Sequence, residues 1–94
     1  PRWLTAEEMA PCWPARDRLS HKGDSGRVFV LAGAVGYAGA ATLACEAALR
    51  SGAGLVTLGT PRSLVPTVAA KLTEAMTLPL PETETGALSP QALE

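Results

Sequence analysis

Aromatic side chains, net charge, histidine and long apolar runs are all scarce in this chain, and each scarcity removes a class of function. Aromatics make up only 4% of 94 residues, so packing has to rely on Ala, Val and Leu and on close helix–sheet approach. Eight basic residues against nine acidic give a formal charge of -1, which leaves no basic field to attract nucleic acid or an anionic bilayer. A small phosphate-bearing ligand is not excluded, because local backbone dipoles can hold one without net charge. No apolar run approaches the roughly 18–20 residues that cross a bilayer, and no signal-peptide pattern opens the chain. Cys12 and Cys45 lie far apart with no CxxC or His/Cys cluster beside them. They read as unpaired thiols in a reducing compartment, with the cytoplasm as the default and no metal-ligand set.

What is present is enough for one small domain, with 47% hydrophobic residues to build its core. Residues 1–20 form a polar connector broken by Pro1, Pro11 and Pro14, in which Thr5 caps a short helical turn carrying Glu7 and Glu8. Arg16, Asp17 and Arg18 are expected to be solvated. The turn cluster His21-Lys22-Gly23-Asp24-Ser25-Gly26 follows, with Gly23 and Gly26 available for positive φ. From Arg27 to Ala32 the sequence is almost continuously apolar, which predicts a strand covered on both faces, as in a parallel sheet. A glycine-spaced loop over residues 33–39 leads into a helix from about Gly39 to Arg50. Thr42, Glu46 and Arg50 make one polar stripe on that helix, and Glu46 is placed to pair with Arg50. Gly52 is its expected left-handed cap.

Leu55-Val56-Thr57-Leu58 reads as a second strand. A second helix runs to about Leu72, with Ser63 as N-cap, Pro66 in its first turn, and Leu64, Val65, Val68 and Leu72 facing the core. Residues 76–80 give a third strand, placed at an edge by Pro79. Residues 81–86 form an acidic exposed loop. The order strand, helix, strand, helix, strand predicts an α/β fold with right-handed crossovers. Ser89 and Pro90 read as a helix start with the chain stopping one turn later, and together with Pro1 in place of Met this suggests a piece of a longer protein.

The loop glycines are spaced Gly33-x2-Gly36-x2-Gly39, which is not the GxGxxG dinucleotide fingerprint. The second strand ends in Leu58-Gly59-Thr60, without the acid that holds a ribose. Position 40 is Ala where a P-loop needs lysine. Two readings stay open on physics alone: glycines that only tighten a strand–helix turn, or glycines beside small Ala34, Ala38 and Ala40 that let a ligand come close. His21 and Lys22 are open to a structural or a catalytic role, and His21 has no evident partner nearby in sequence. Tyr37 either stacks on a ring or covers the helix start. Glu82, Glu84 and Glu94 are expected to stand without companions.

His21-Lys22-Gly23 with Gly26, the strand ending in Gly33, Gly39-Ala40-Ala41 and Ala48-Leu49-Arg50-Ser51-Gly52-Ala53-Gly54-Leu55-Val56 together resemble the ADP- or ATP-dependent NAD(P)H-hydrate dehydratases. The likeness extends over residues 16–80, with Thr60-Pro61 and Glu74-Ala75-Met76 also fitting. It implies that residues 21–94 are the N-terminal part of a ribokinase-like three-layer α/β/α domain, with about three strands and two main helices present. It implies a lyase that repairs NADHX and NADPHX, in which ADP or ATP with Mg2+ phosphorylates the ring hydroxyl and loss of phosphate restores the double bond. By the same resemblance Ala40 belongs to the substrate site, with Gly39, Gly33 and Gly36 beside it and, less directly, His21 and Lys22. The family's GPG, HPGE and GxGD segments, the last with the catalytic aspartate, do not occur within these residues. The chain alone is therefore expected to be inactive, and to associate with its missing part or form a homo-oligomer. The alternatives are a sugar or hydroxymethylpyrimidine kinase of the same superfamily, and a non-enzymatic binding or assembly module.

Overall fold

Val28-Phe29-Val30-Leu31 has the β-branched and aromatic content that suits a pleated strand, and in the computed structural model, which describes all 94 residues, it forms strand β1, Arg27–Leu31. Helix α2, Ala38–Arg50, crosses to strand β2, Leu55–Pro61. Helix α3, Val65–Lys71, then crosses to strand β3, Met76–Leu80. A four-residue helix α1, Ala6–Met9, lies in the N-terminal segment, where Thr5 and Glu8 complete a capping box. The strands form one parallel sheet in the order β1-β2-β3, with Val28 opposite Val56 and Thr60 opposite Pro79. Pro79 is tolerated because β3 is an edge.

Sequential parallel strands that advance in one direction, joined by crossovers of one hand, place both helices on the same face of the sheet. Ala41 and Cys45 of α2, Val56 and Leu58 of β2, and Leu64, Val68 and Leu72 accordingly form one buried cluster. Of the core face expected for the second helix, Leu64, Val68 and Leu72 are buried in this cluster, while Val65 is only half-buried and lies outside it.

The opposite face is bare. Phe29 and Leu31 of β1 share it with Met76 and Leu78 of β3, by strand alternation and register, and all four are exposed. Coverage of β1 on both faces is thus not found within these residues. The apolar run does report a parallel sheet, but a helix layer on its second face requires strands beyond β1 that reverse the order.

Helix α2 also departs from its expected face. Thr42 is buried, and its hydroxyl donates to the Ala38 carbonyl at 3.0 Å, so it enters the core without an unmet polar group. Leu43 and the alanines at 40, 44 and 47 face outward instead. Arg2 pairs with Glu8, the neutral His21 ring hydrogen-bonds to Asp24, and Glu46 does not pair with Arg50. The C-terminus closes as expected: Gly52 at φ 109 lets its own N–H reach Leu49 O and Ala53 N–H reach Ala48 O. Arg16, expected to be solvated, donates to the freed Gly52 carbonyl at 2.8 Å and ties the N-terminal segment to that helix end. Ser63 is not a helix cap. It sits in a 3₁₀ turn, Arg62–Leu64, ahead of α3, and its side chain turns to Glu82.

Candidate functional site

Ligands of parallel α/β sheets bind beyond the carboxyl ends of the strands, and there β1 runs into the glycine loop. Ala32 N–H still reaches Gly59 O at 3.0 Å, so the sheet holds the start of the loop. Gly33, at φ 105, is fixed by packing: a Cβ there would lie 2.5 Å from Thr60 Oγ1 and 2.8 Å from Leu64 Cδ2. Residues 34–37 then form a tight turn, with Tyr37 N–H donating to Ala34 O at 2.8 Å and Gly36 supplying the positive φ of its third position.

The next two glycines differ in kind from Gly33. A Cβ at Gly36 or Gly39 would meet nothing within 4 Å. Gly39 and Ala40 are exposed on the first turn of α2, and Tyr37 at the N-cap offers no side-chain hydrogen bond to that turn. The free amides of a 13-residue helix therefore face open space over bare backbone. Under the loop, the fully buried Thr60 hydroxyl has no partner. Gly33, Gly36, Gly39 and Ala40 are thus brought together at one end of the sheet, and the arrangement suits an anionic group.

His21 and Lys22 lie at the other end. They precede β1, five residues of strand away from the loop, or about 17 Å at the usual rise per residue. His21 has the partner its sequence did not suggest. Its Nδ1 accepts from Gly23 N–H at 3.0 Å, which leaves Nε2–H facing Asp24 Oδ1 at 3.1 Å, while Asp24 Oδ2 accepts from His21 N–H. This closed ring caps the 3₁₀ turn Lys22–Ser25. Gly26 takes the expected positive φ, but Gly23 does not; a Cβ there would lie 2.9 Å from the exposed imidazole, which would have to shift. A Cβ on Gly54 would fall inside the Lys22 carbonyl, and the Gly54 and Leu55 amides both donate to Gly26 O at 3.1 Å. His-Lys-Gly and Ser-Gly-Ala-Gly are the two halves of one packed joint.

Two contacts at the loop end, Ser63 with Glu82 and Val35 with Gly86, could not be read from the sequence. Glu82 is not companionless: its Oε2 accepts from Ser63 Oγ at 2.7 Å and Ser63 N–H at 3.1 Å. Those bonds, with Arg62 nearby, hold its carboxyl below the usual range. Gly86 O accepts from Val35 N–H at 2.9 Å. Nineteen residues separate Ser63 from Glu82, so no local pattern announces the pair, although Thr-Glu-Thr-Gly is a recognisable turn. Cys45 is packing, as expected, and burial pushes its thiol up. No three His, Cys, Asp or Glu side chains assemble a metal-ligand set, and no lysine or arginine stands on the first turn of α2. These residues do not by themselves fit Mg2+ or a nucleotide triphosphate. No helix is long and apolar enough to cross a membrane.

Comparison with known proteins bears on this geometry. The NAD(P)H-hydrate dehydratase family matches residues 28–93. The chain is 50% identical over 93 residues to the bifunctional NAD(P)H-hydrate repair enzyme Nnr of Moorella thermoacetica, covering 99% of this chain and 18% of that protein. It is 49% identical over 65 residues to the ADP-dependent (S)-NAD(P)H-hydrate dehydratase of Streptococcus pneumoniae, covering 69% of this chain and 22% of that protein. The enzyme of the same name from Bacillus subtilis is 41% identical over 75 residues, covering 80% of this chain and 27% of that protein. The chain thus spans between 18% and 27% of these relatives. The family match takes in all of the sheet but Arg27, the glycine loop and both main helices, and the chain belongs to the NAD(P)H-hydrate dehydratase family.

Proposed function

We propose that these residues form the substrate-binding part of an ADP- or ATP-dependent NAD(P)H-hydrate dehydratase acting on NADHX and NADPHX. The observation that carries this reading is the uncapped first turn of α2, open at Gly36, Gly39 and Ala40, at the carboxyl end of the parallel sheet. A dinucleotide brings phosphates that such a turn can meet through backbone N–H groups, and bare glycines let it approach. Thr60 keeps a hydroxyl free beneath the loop. The nucleotide, when bound, supplies the phosphoryl group for the hydroxyl of the hydrated ring, and loss of phosphate restores its double bond. These residues hold and orient the substrate, and Gly33 sets the loop against Thr60 and Leu64.

The catalytic aspartate, the nucleotide site and any Mg2+ site belong, on this reading, to parts of the domain outside residues 1–94, and these residues alone do not turn over NADPHX. The bare sheet face and the outward flank of α2 at Leu43, Ala44 and Ala47 pack against that remainder or against another copy. The cytoplasm suits two unpaired thiols and a soluble dinucleotide substrate.

Ala40→Trp in the full-length protein tests the assignment. We expect the KM for NADPHX to rise by about tenfold or more with the KM for ADP unchanged. An unchanged KM for NADPHX contradicts it.

A further inference from the structure

We propose that the hairpin of residues 81–89 is a positioning element for the substrate loop, in which Gly86 fixes the Val35 amide and Glu82 anchors the hairpin to the start of α3. The inference rests on the reading of residues 33–40 as the substrate side.

The hairpin is closed by its own bonds. Thr83 N–H donates to Ala87 O at 2.8 Å, Gly86 N–H to Thr83 O at 3.0 Å, and Ser89 N–H to Pro81 O at 3.1 Å. Ala87 N–H also reaches Thr83 Oγ1 at 3.2 Å. Glu82 and Leu88 form an antiparallel bridge across it. At its base, Glu82 takes both the N–H and the hydroxyl of Ser63, which locks the hairpin to the turn that precedes α3. At its tip, Gly86 is buried at φ 73, its carbonyl holds Val35 N–H, and a side chain in its place would overlap that of Val35.

Burial does not explain the contact, because Val35 remains 54% exposed. What the contact constrains is backbone. Val35 is the second residue of the turn that ends at Tyr37, the N-cap of α2. Tying its amide fixes the direction from which Gly36, Gly39 and the first-turn amides present themselves. A chain of contacts thus runs from Ser63 through Glu82 and Gly86 to Val35. Glu82 and Gly86 act through Val35 and do not touch substrate.

The test uses Gly86→Ala, Glu82→Ala and Ala40→Trp in the full-length protein. Gly86→Ala is expected to raise the KM for NADPHX about tenfold, and Glu82→Ala, which removes the acceptor for both Ser63 bonds, about threefold, with the KM for ADP unchanged and faster hydrogen exchange at Val35. A purely structural role would lower Tm or affect both substrates alike. Should Gly86→Ala fail to fold, Glu82→Ala decides. If Ala40→Trp raises the KM for NADPHX while the folded hairpin variants stay within twofold of the parent, the positioning role is overturned and the substrate site stands. If Ala40→Trp has no effect either, both are overturned.

Discussion

Two glycine-rich clusters stand at opposite ends of β1, and both attract attention in the sequence, yet they do opposite work. At the amino end, His21-Lys22-Gly23 closes on Ser51-Gly52-Ala53-Gly54: Gly54 is demanded by the Lys22 carbonyl already in place, while Gly26 and Gly52, with open space around them, are accounted for by their positive φ. At the carboxyl end only Gly33 is filled in this way, while Gly36 and Gly39 face open space. A glycine whose missing side chain is replaced by a neighbour is explained by packing. One whose missing side chain leaves a gap beside free helix amides invites a ligand. The distinction separates a joint from a site.

Substitutions at the two ends should break in different ways. The largest effect is expected from Gly54→Ala, which drives a methyl into the Lys22 carbonyl and should cost about 3 kcal/mol or more of stability. Thermal unfolding of the full-length protein measures it, and folded material should keep its KM for NADPHX. His21→Ala removes the acceptor for Gly23 N–H and should cost about 1 kcal/mol. Its kcat should stay near the parent value, whereas loss of a general acid or base would lower kcat by roughly a hundredfold or more. Gly39→Ala is the smallest change and the most discriminating. With nothing near its Cβ and helical backbone around it, it should stabilise the protein by about 0.5 kcal/mol. The same methyl should raise the KM for NADPHX, so a variant that folds better but binds worse marks the open surface as a site.

Much of the fold was legible in the sequence, and the limits have physical causes. The strands, the two main helices, the Gly52 terminus and the Pro79 edge are written in local pattern and backbone preference. The spacing of Gly33, Gly36 and Gly39 correctly argued against an ordinary dinucleotide loop. Which glycine is filled and which is open was not legible, because Thr60, Leu64 and Lys22 reach these positions from distant segments. The Glu82–Ser63 anchor is hidden for the same reason. Thr42 misled for a subtler one: a hydroxyl bonded to its own helix counts as polar in a periodicity but can be buried at little cost. The bare face of β1 shows that an apolar run reports what a strand needs, not which part of the chain supplies it.

The central claim is that substrate meets the open end of β1 and not the packed one. Amide hydrogen exchange of the full-length protein, with and without NADPHX, tests it most directly. The account predicts slowed exchange over residues 33–41 on binding, with residues 21–26 and 51–55 unchanged. Protection confined to residues 21–26 and 51–55, with the glycine loop unaffected, would contradict it.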